Sequence, residues 1–311
     1  MASERVRVIL NPRAAHGRAL ARLPEVEAAL KRDGLEHEIV LTQRPGHATE
    51  LAKAARADGV DVLAAMGGDG TLNEVVQAFL GRDGEPAKGP DLALIPAGTG
   101  GDFKRTLGLT DSIEDAVGRI RRGGRRAVDL GILRFEPHPG HEGVRAFVNV
   151  TSFGIGGEVD AIVNKSPKWL GGKASFFMAT LRAMARYKNA SVRVKIDGHA
   201  WYEGPAFNVA IANGRFFGGG MMIAPDADLA DGRFELVCIG DLTKVEAAGL
   251  SSRIYKGTHL SADGVKTTSG ASIEAEPMHP WASVLMDVDG EQPGKLPLKA
   301  TIAKGALTFR A

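Results

Sequence analysis

Val60-Asp61-Val62-Leu63-Ala64-Ala65-Met66-Gly67-Gly68-Asp69-Gly70-Thr71-Leu72-Asn73-Glu74 is the stretch whose reading decides the fold. Val60 to Ala65 is a short apolar run ending in small residues, the pattern of a buried strand. Beyond the glycines, Leu72, Val75, Val76, Phe79 and Leu80 fall at i, i+3, i+4, i+7 and i+8, which is one face of a helix. Between strand and helix lie three glycines, Asp69, Thr71 and Asn73. Glycine lets the backbone turn tightly and approach a ligand, and a helix N-terminus presents unpaired N–H groups at a positive dipole end. That is the local chemistry of a phosphate or nucleotide cradle. The plainer reading of the same residues is a strand-to-helix turn in which Asp69 or Thr71 caps its own helix.

Outward from this turn, the N-terminal part alternates. Arg5–Leu10 predicts a strand that stops at Asn11-Pro12. Leu20, Leu23, Val26 and Leu30 make a helical stripe closed by Asp33-Gly34. His37–Leu41 is a strand ending at Thr42, His47–Ala57 a helix, and Leu92–Ile95 a strand. A second glycine-rich turn follows, Pro96-Ala97-Gly98-Thr99-Gly100-Gly101-Asp102, and then a helix over Ser112–Arg121 with Ser112 as its cap. Alternating strands and helices predict a doubly wound, mostly parallel α/β sheet covered on both faces. Ligands of such sheets sit beyond the carboxyl ends of the strands. Asn11, Thr42, Gly67 to Asn73 and Thr99 all lie just past expected strands, so they should converge on one edge.

From about Val128 the pattern changes. Val128–Phe135, Ala146–Ser152, Ser191–Ile196, Ala206–Ala212, Arg233–Ile239, Ser283–Val288 and Leu298–Ala303 read as strands separated by Gly, Pro and Asp turns. Several have no helix between them, which predicts an antiparallel β-sandwich. Helices are expected at Ala174–Tyr187 and Lys244–Tyr255. The expected division is a nucleotide-binding α/β domain over residues 1–130 and a β-sandwich acceptor domain over 131–303. The last strand, about residues 304–311, returns to the first domain.

With 311 residues, 44% apolar and 24% charged, the chain can bury one large core or two ordinary ones. A formal net charge of +2 argues against nucleic acid. Single Cys238 cannot make an internal disulfide, and its apolar strand predicts a buried thiol. No apolar run approaches a transmembrane span, and the first residues lack an apolar signal region. The expectation is a cytoplasmic protein able to visit a membrane surface.

The ordered motifs resemble the diacylglycerol kinase catalytic family, which includes bacterial lipid kinases and sphingosine and ceramide kinases. They are Asn11-Pro12, Gly67 to Glu74, Gly98-Thr99-Gly100-Gly101-Asp102-Phe103, Ser152-Phe153-Gly154, Ala224 to Ala227 with Asp231-Gly232-Arg233-Phe234, and Val288-Asp289-Gly290-Glu291. The first signature is shared with NAD kinases, so the implied N-terminal fold is NAD kinase-like. The resemblance implies an ATP site lined by Asn11, Pro12, Arg13, Ala14, Ala15, Thr42, Gly67, Gly68, Asp69, Gly70, Thr71, Leu72, Asn73 and Thr99. Asp102 and Arg105 would organise contacts around the transferred phosphate. Two roles are open to Asp69: a hydrogen bond to a ribose hydroxyl, or a reach to the metal–phosphate cluster. The family places its proton acceptor in the last motif, which points to Glu291 with Asp289 beside it, the reverse assignment staying open. If that segment is extended, both carboxylates point to one face; the plainer reading of Asp289-Gly290 is a hairpin turn. The resemblance also implies a separate Mg²⁺ held by the Asp231 carboxylate and the backbone carbonyls of Asp228 and Arg233, against a simple Asp-Gly turn.

Two departures from the family pattern stand out: Ala14-Ala15 replaces a small residue followed by glycine, and Gly101 stands where asparagine is frequent. The expected function is an ATP- and Mg²⁺-dependent lipid kinase, with ATP between the domains and a lipid at a membrane surface as partner. NAD kinase or another small-molecule kinase, and a nucleotide- or lipid-binding sensor without catalysis, are the alternatives. A homodimer is compatible with the sequence. Arg119, Arg121, Arg122, Arg125 and Arg126, with Lys165, Lys168 and Lys173, read as hydrated surface or as a contact for anionic membrane. Trp169-Leu170 and Phe176-Phe177-Met178 read as core or as the wall of an acyl groove.

Overall fold

A computed structural model describes residues 4–97, 101–138, 140–159 and 187–311. The chain divides into two compact units, Met1–Leu130 with Ala303–Ala311, and Gly131–Ile302. It passes from the first to the second within the strand Arg125–His138 and back within the last strand, Leu298–Arg310.

In the first unit, β1 (Arg5–Leu10), β2 (Glu36–Leu41), β3 (Val62–Gly67) and β4 (Asp91–Pro96) form a parallel sheet in the order β2-β1-β3-β4. Val8 stands between Ile39 and Ala64, and Ala64 between Val8 and Ala93. Every residue of β3 from Val62 to Met66 is buried, as expected of a strand covered on both faces. The helices are α1 (Arg18–Ala21), α2 (Leu23–Arg32), α3 (His47–Ala57), α4 (Asp69–Val76), α5 (Asp102–Leu107) and α6 (Ile113–Arg122). Val26, Ala29 and Leu30 of α2 and Ile113, Ala116, Val117 and Ile120 of α6 share one core with Val6, Val8, Val62, Ala64 and Ile95. Helices α3 and α4 pack on each other. Ser112 caps α6 by accepting the Asp115 N–H, as its sequence position predicts.

Two expected elements differ. The stripe beginning at Leu20 is broken into α1 and α2, because Pro24 at the start of α2 lacks the N–H needed to continue a preceding helix. Leu20 is left exposed. The Leu72 stripe also stops early: α4 ends at Val76, Gln77–Phe79 tighten into a 3₁₀ turn, and Leu80 turns extended to bridge Pro86.

The remaining strands are β5 (Arg125–His138), β6 (His141–Phe147), β7 (Val150–Gly154), β8 (Ala190–Ile196), β9 (His199–Ala206), β10 (Asn208–Ala212), β11 (Phe216–Phe217), β12 (Met221–Met222), β13 (Phe234–Ile239), β14 (Val265–Gly270), β15 (Ser272–Pro277), β16 (Leu285–Val288), β17 (Glu291–Lys295) and β18 (Leu298–Arg310). In the second unit they form an antiparallel β-sandwich. One layer runs β14-β13-β10-β7-β16-β17, and the other contains β18-β15-β8-β9. Between the layers lie Phe147, Phe153, Val192, Val194, Phe234, Ile273, Ala275 and Met286, and the Phe147 and Phe234 rings stack with centroids 5.4 Å apart. Along β15 the buried Ile273 and Ala275 alternate with exposed Glu274 and Glu276, the period-2 pattern of a half-buried strand. β7 and β10 are buried throughout. Their far side is covered by Ile223, Ala224 and the Leu250 and Ile254 side chains of the helix Lys244–Lys256, close to the helix expected there. That helix opens on a capping box between Thr243 and Glu246.

At its C-terminal end β18 returns to the first unit, where Phe309 pairs with Leu92 of β4 in parallel. Buried Arg310 fastens it there, donating to Asp91, Glu4 and the Ile120 carbonyl. Apart from Tyr187, the expected helix Ala174–Tyr187 lies outside the described residues. So do Lys165, Lys168, Lys173, Trp169-Leu170 and Phe176-Phe177-Met178.

Candidate functional site

The strand order β2-β1-β3-β4 reverses direction between β1 and β3, and a crevice opens at the carboxyl ends of an α/β sheet at such a switch point. The residues that follow those two strands are Asn11 and Gly67 to Thr71. They meet directly: the Asn11 side-chain amide donates to Thr71 Oγ1 at 3.2 Å, while Asn11 Oδ1 accepts the Arg13 N–H at 3.0 Å. Pro12 and Arg13 thereby turn over the same edge. Thr42, at the end of β2, donates its N–H to Leu10 O at 2.9 Å.

Gly68 is the N-cap of α4, and no side chain caps that helix. The N–H groups that open a helix have no intrahelical acceptor, and Asp69 and Gly70 occupy that position. A Cβ on Gly68 or Gly70 would meet nothing within 4 Å, whereas one on Gly67 would stand 2.3 Å from Thr71 Oγ1. So Gly67 is needed for packing, and Gly68 and Gly70 leave the helix end open to an anion. Leu72 and Asn73 are buried and hold the turn from below. The turn's last residue, Glu74, fastens α3 by accepting the Ala48 N–H at 3.0 Å.

Asp69 does not cap its own helix. Its carboxylate accepts the N–H groups of Asp102 and Phe103, at 2.8 and 3.2 Å, and so caps α5. Burial pushes the Asp69 carboxyl above the usual carboxylate range, and the nearby Asp102 carboxylate adds to the rise against those two hydrogen bonds. Asp102 pairs with Arg105 at 2.6 Å. Asn11, Asp69, Thr71, Asp102 and Arg105 are thus gathered at one edge of the sheet. Thr99 lies outside the described residues.

In the second unit, Asp289-Gly290 is the tip of the β16–β17 hairpin, with φ of 49° and 89°. The expectation of an extended segment with both carboxylates on one face is therefore corrected: the Asp-Gly pair takes the left-handed conformations of a tight turn. Asp289 is held fast there. Its carboxylate accepts the N–H groups of Val148, Asn149 and Val150 at 3.0, 3.2 and 2.9 Å, and its own N–H donates to Val150 O. Asp287 braces the turn from the other side, accepting the Gly290 N–H at 2.7 Å. Glu291 is half-buried and opens β17. Asn149, Thr151 and Asp287 are buried supports that the motif reading missed. For Asn149 and Thr151 the signal was a pair of polar residues on either side of Val150, where β7 begins.

Asp228 and Asp231 each close a short turn, accepting the N–H of Ala230 and of Arg233 at 3.0 and 2.8 Å. The Arg233 guanidinium turns to Ser269. Burial first, with the Asp226 and Asp231 carboxylates adding to it, pushes Glu235 above the usual range. Among the described residues no three His, Cys, Asp or Glu side chains are grouped to hold a metal ion. A cation at this loop would therefore draw on backbone oxygens, which hard cations accept.

Residues 5–133 match the diacylglycerol kinase catalytic domain, and residues 149–311 match the YegS C-terminal NAD kinase beta sandwich-like domain. The chain belongs to the diacylglycerol kinase catalytic family. A diacylglycerol kinase of Mycobacterium tuberculosis is 29% identical over 304 residues, which cover 97% of this chain and 94% of that one. The fold is shared with the crystal structure of a diacylglycerol kinase from Bacillus anthracis str. Sterne, at TM-score 0.74 and 24% identity, covering 99% and 97% of the two chains. It is shared more loosely with an Archaeoglobus fulgidus NAD kinase in complex with ATP, at TM-score 0.53 and 16% identity, covering 99% and 93%. Among the described residues, no helix is long and apolar enough to cross a membrane.

The two departures from the family pattern have structural consequences. Ala15, where the family favours glycine, and the His16 that follows it are left-handed at φ of 51° and 59°, a conformation that strains a residue with a Cβ. Gly101 has φ 138° and precedes α5, a backbone that suits glycine better than asparagine.

Proposed function

We propose that this protein is an ATP- and Mg²⁺-dependent lipid kinase that phosphorylates a hydroxyl of diacylglycerol or a related lipid. The observation that carries this reading is the Asn11–Thr71 hydrogen bond across the switch-point crevice, beside a glycine-lined helix start, in a chain of the diacylglycerol kinase family. The first unit is the donor side. The N–H groups at the start of α4 and the Asn11 and Thr71 side chains bind phosphate oxygens, and open space at Gly68 and Gly70 admits them. Asp69 sets the α5 terminus, and Arg105, held by Asp102, supplies positive charge. Mg²⁺ bound with the nucleotide neutralises charge on the transferred phosphoryl group.

The second unit is the acceptor side. A hydroxyl becomes a competent nucleophile as a positioned base takes its proton. Glu291 is assigned that role, because the Asp289 oxygens already accept three backbone amides. Asp289 and Asp287 fix the turn from which Glu291 projects. The Asp228–Arg233 loop is assigned a separate Mg²⁺, structural or allosteric, that the Asp231 carboxylate and the backbone carbonyls of Asp228 and Arg233 would hold.

The test is incubation of purified protein with γ-labelled ATP and Mg²⁺ against diacylglycerol, sphingosine, ceramide and NAD. Label should enter a lipid, disappear with a chelator, and fall about 10²–10⁴-fold in Glu291→Gln. Labelling of NAD alone, or full activity in the variant, refutes the assignment.

A further inference from the structure

Trp281 is 81% exposed, although an indole carries a large apolar surface. It sits in the β15–β16 connection, where Pro277 to Met286 carries no Asp, Glu, Lys or Arg. Backbone hydrogen bonds tie the connection down. Met278 donates its N–H to Ser191 O, Ala282 donates to His279 O, and Leu296 donates to Val284 O, each at 2.9 Å. On the tip, the His279 and Trp281 rings stack with centroids 4.9 Å apart and planes 12° from parallel.

Strand pairing connects two lysines to the ends of this connection. Lys295 pairs across the hairpin with Leu285, which is four residues past Trp281. Lys188 lies three residues before Ser191, whose carbonyl holds Met278. Both lysines are exposed, and neither makes an ion pair among the described residues. An indole with a polar edge belongs at a membrane–water interface, and basic residues near it attract anionic headgroups. A tip already fixed in shape loses little conformational entropy on docking.

We propose that the His279–Trp281 tip, with Lys188 and Lys295, is an interfacial anchor that seats the second unit on an anionic phospholipid surface. The proposal rests on the lipid-acceptor reading above and adds to it the surface through which the enzyme meets its bilayer. The anchor lies at the opposite end of the β16–β17 hairpin from the Asp289-Gly290 turn. It is therefore separate in sequence from the residues assigned to proton transfer.

The test is co-sedimentation of the full chain with vesicles of phosphatidylcholine and phosphatidylglycerol, compared with phosphatidylcholine alone. Trp281→Ala should lower the vesicle partition coefficient about tenfold, and Trp281→Phe should keep most of it. Lys188→Glu with Lys295→Glu should erase the preference for the anionic vesicles. Turnover of a water-soluble short-chain diacylglycerol should be unchanged in these variants. Unchanged partitioning in Trp281→Ala overturns the anchor, even where the soluble lipid is phosphorylated. So does a dimer that splits in Trp281→Ala while vesicle binding persists, because the tip is then a self-contact. Trp281-dependent binding without phosphorylation of any lipid supports the anchor and refutes the kinase assignment instead.

Discussion

Removing the Asp289 carboxylate tests whether this residue anchors the hairpin or performs the chemistry. Its oxygens accept the Val148, Asn149 and Val150 amides at 3.0, 3.2 and 2.9 Å, with Oδ1 taking two of them and Oδ2 one. Alanine orphans all three. At about 1 kcal/mol for each half-buried donor the loss is about 3 kcal/mol, and alanine at φ 49° adds about 1 kcal/mol. Asparagine tolerates the left-handed conformation and keeps one acceptor oxygen, so its cost is about 1 kcal/mol. With an m value of about 2–3 kcal/mol/M, Asp289→Ala should shift the urea midpoint down by about 1–2 M, and Asp289→Asn by about 0.5 M. Trp201, packed against the core of the second unit, reports the transition by fluorescence. The anchor argument also requires Asp289→Asn to keep most of its phosphoryl transfer. An unshifted midpoint in Asp289→Ala, together with complete loss of transfer, refutes the reasoning and moves the proton acceptor from Glu291 to Asp289.

Three further outcomes follow from the same geometry. Gly67→Ala drives a Cβ to 2.3 Å from Thr71 Oγ1 and should destabilise the first unit by about 1–3 kcal/mol; Gly68→Ala meets nothing and should leave the melting temperature unchanged while abolishing the thermal shift given by ATP. Ala15→Gly relieves a left-handed alanine at φ 51° and should stabilise the protein by about 1 kcal/mol, measured by urea unfolding; a destabilised variant contradicts the strain. Burial lowers the His259 imidazole below 6.5, so the unfolded chain binds a proton that the folded chain refuses. Its contribution is complete above about pH 6.5 and is lost as the pH falls through the folded value. His259→Gln keeps a donor for Ile223 O and should flatten that acid limb in thermal melts; superimposable pH profiles for variant and wild type would show another group to be responsible.

Much of the first unit was legible because its signals are local. A strand buried on both faces, such as Val62–Met66, must be apolar throughout. Glycines cluster where the chain turns tightly from strand to helix, and a Ser112 cap declares itself by its place before an amphipathic run. Where a local pattern competed with a neighbour, the reading failed. Leu20 matched the helical stripe, yet Pro24 starts a new helix and leaves it exposed. Asp289-Gly290-Glu291 matched an extended pair of carboxylates, and the left-handed turn separates them.

The amino-acid order alone determined which residues are chemically able to bind phosphate or take a proton, because residue type and strand-end position are properties of the chain. It also determined that an α/β sheet precedes a β-sandwich, because hydrophobic period follows secondary structure. Which oxygens are already committed was decided only by the tertiary structure. Asp69 meets the α5 amides 33 residues away, and Asp289 meets Val148 across 141 residues. A carboxylate's partners are set by what folding brings within about 3 Å of it, and no spacing in the sequence encodes that distance.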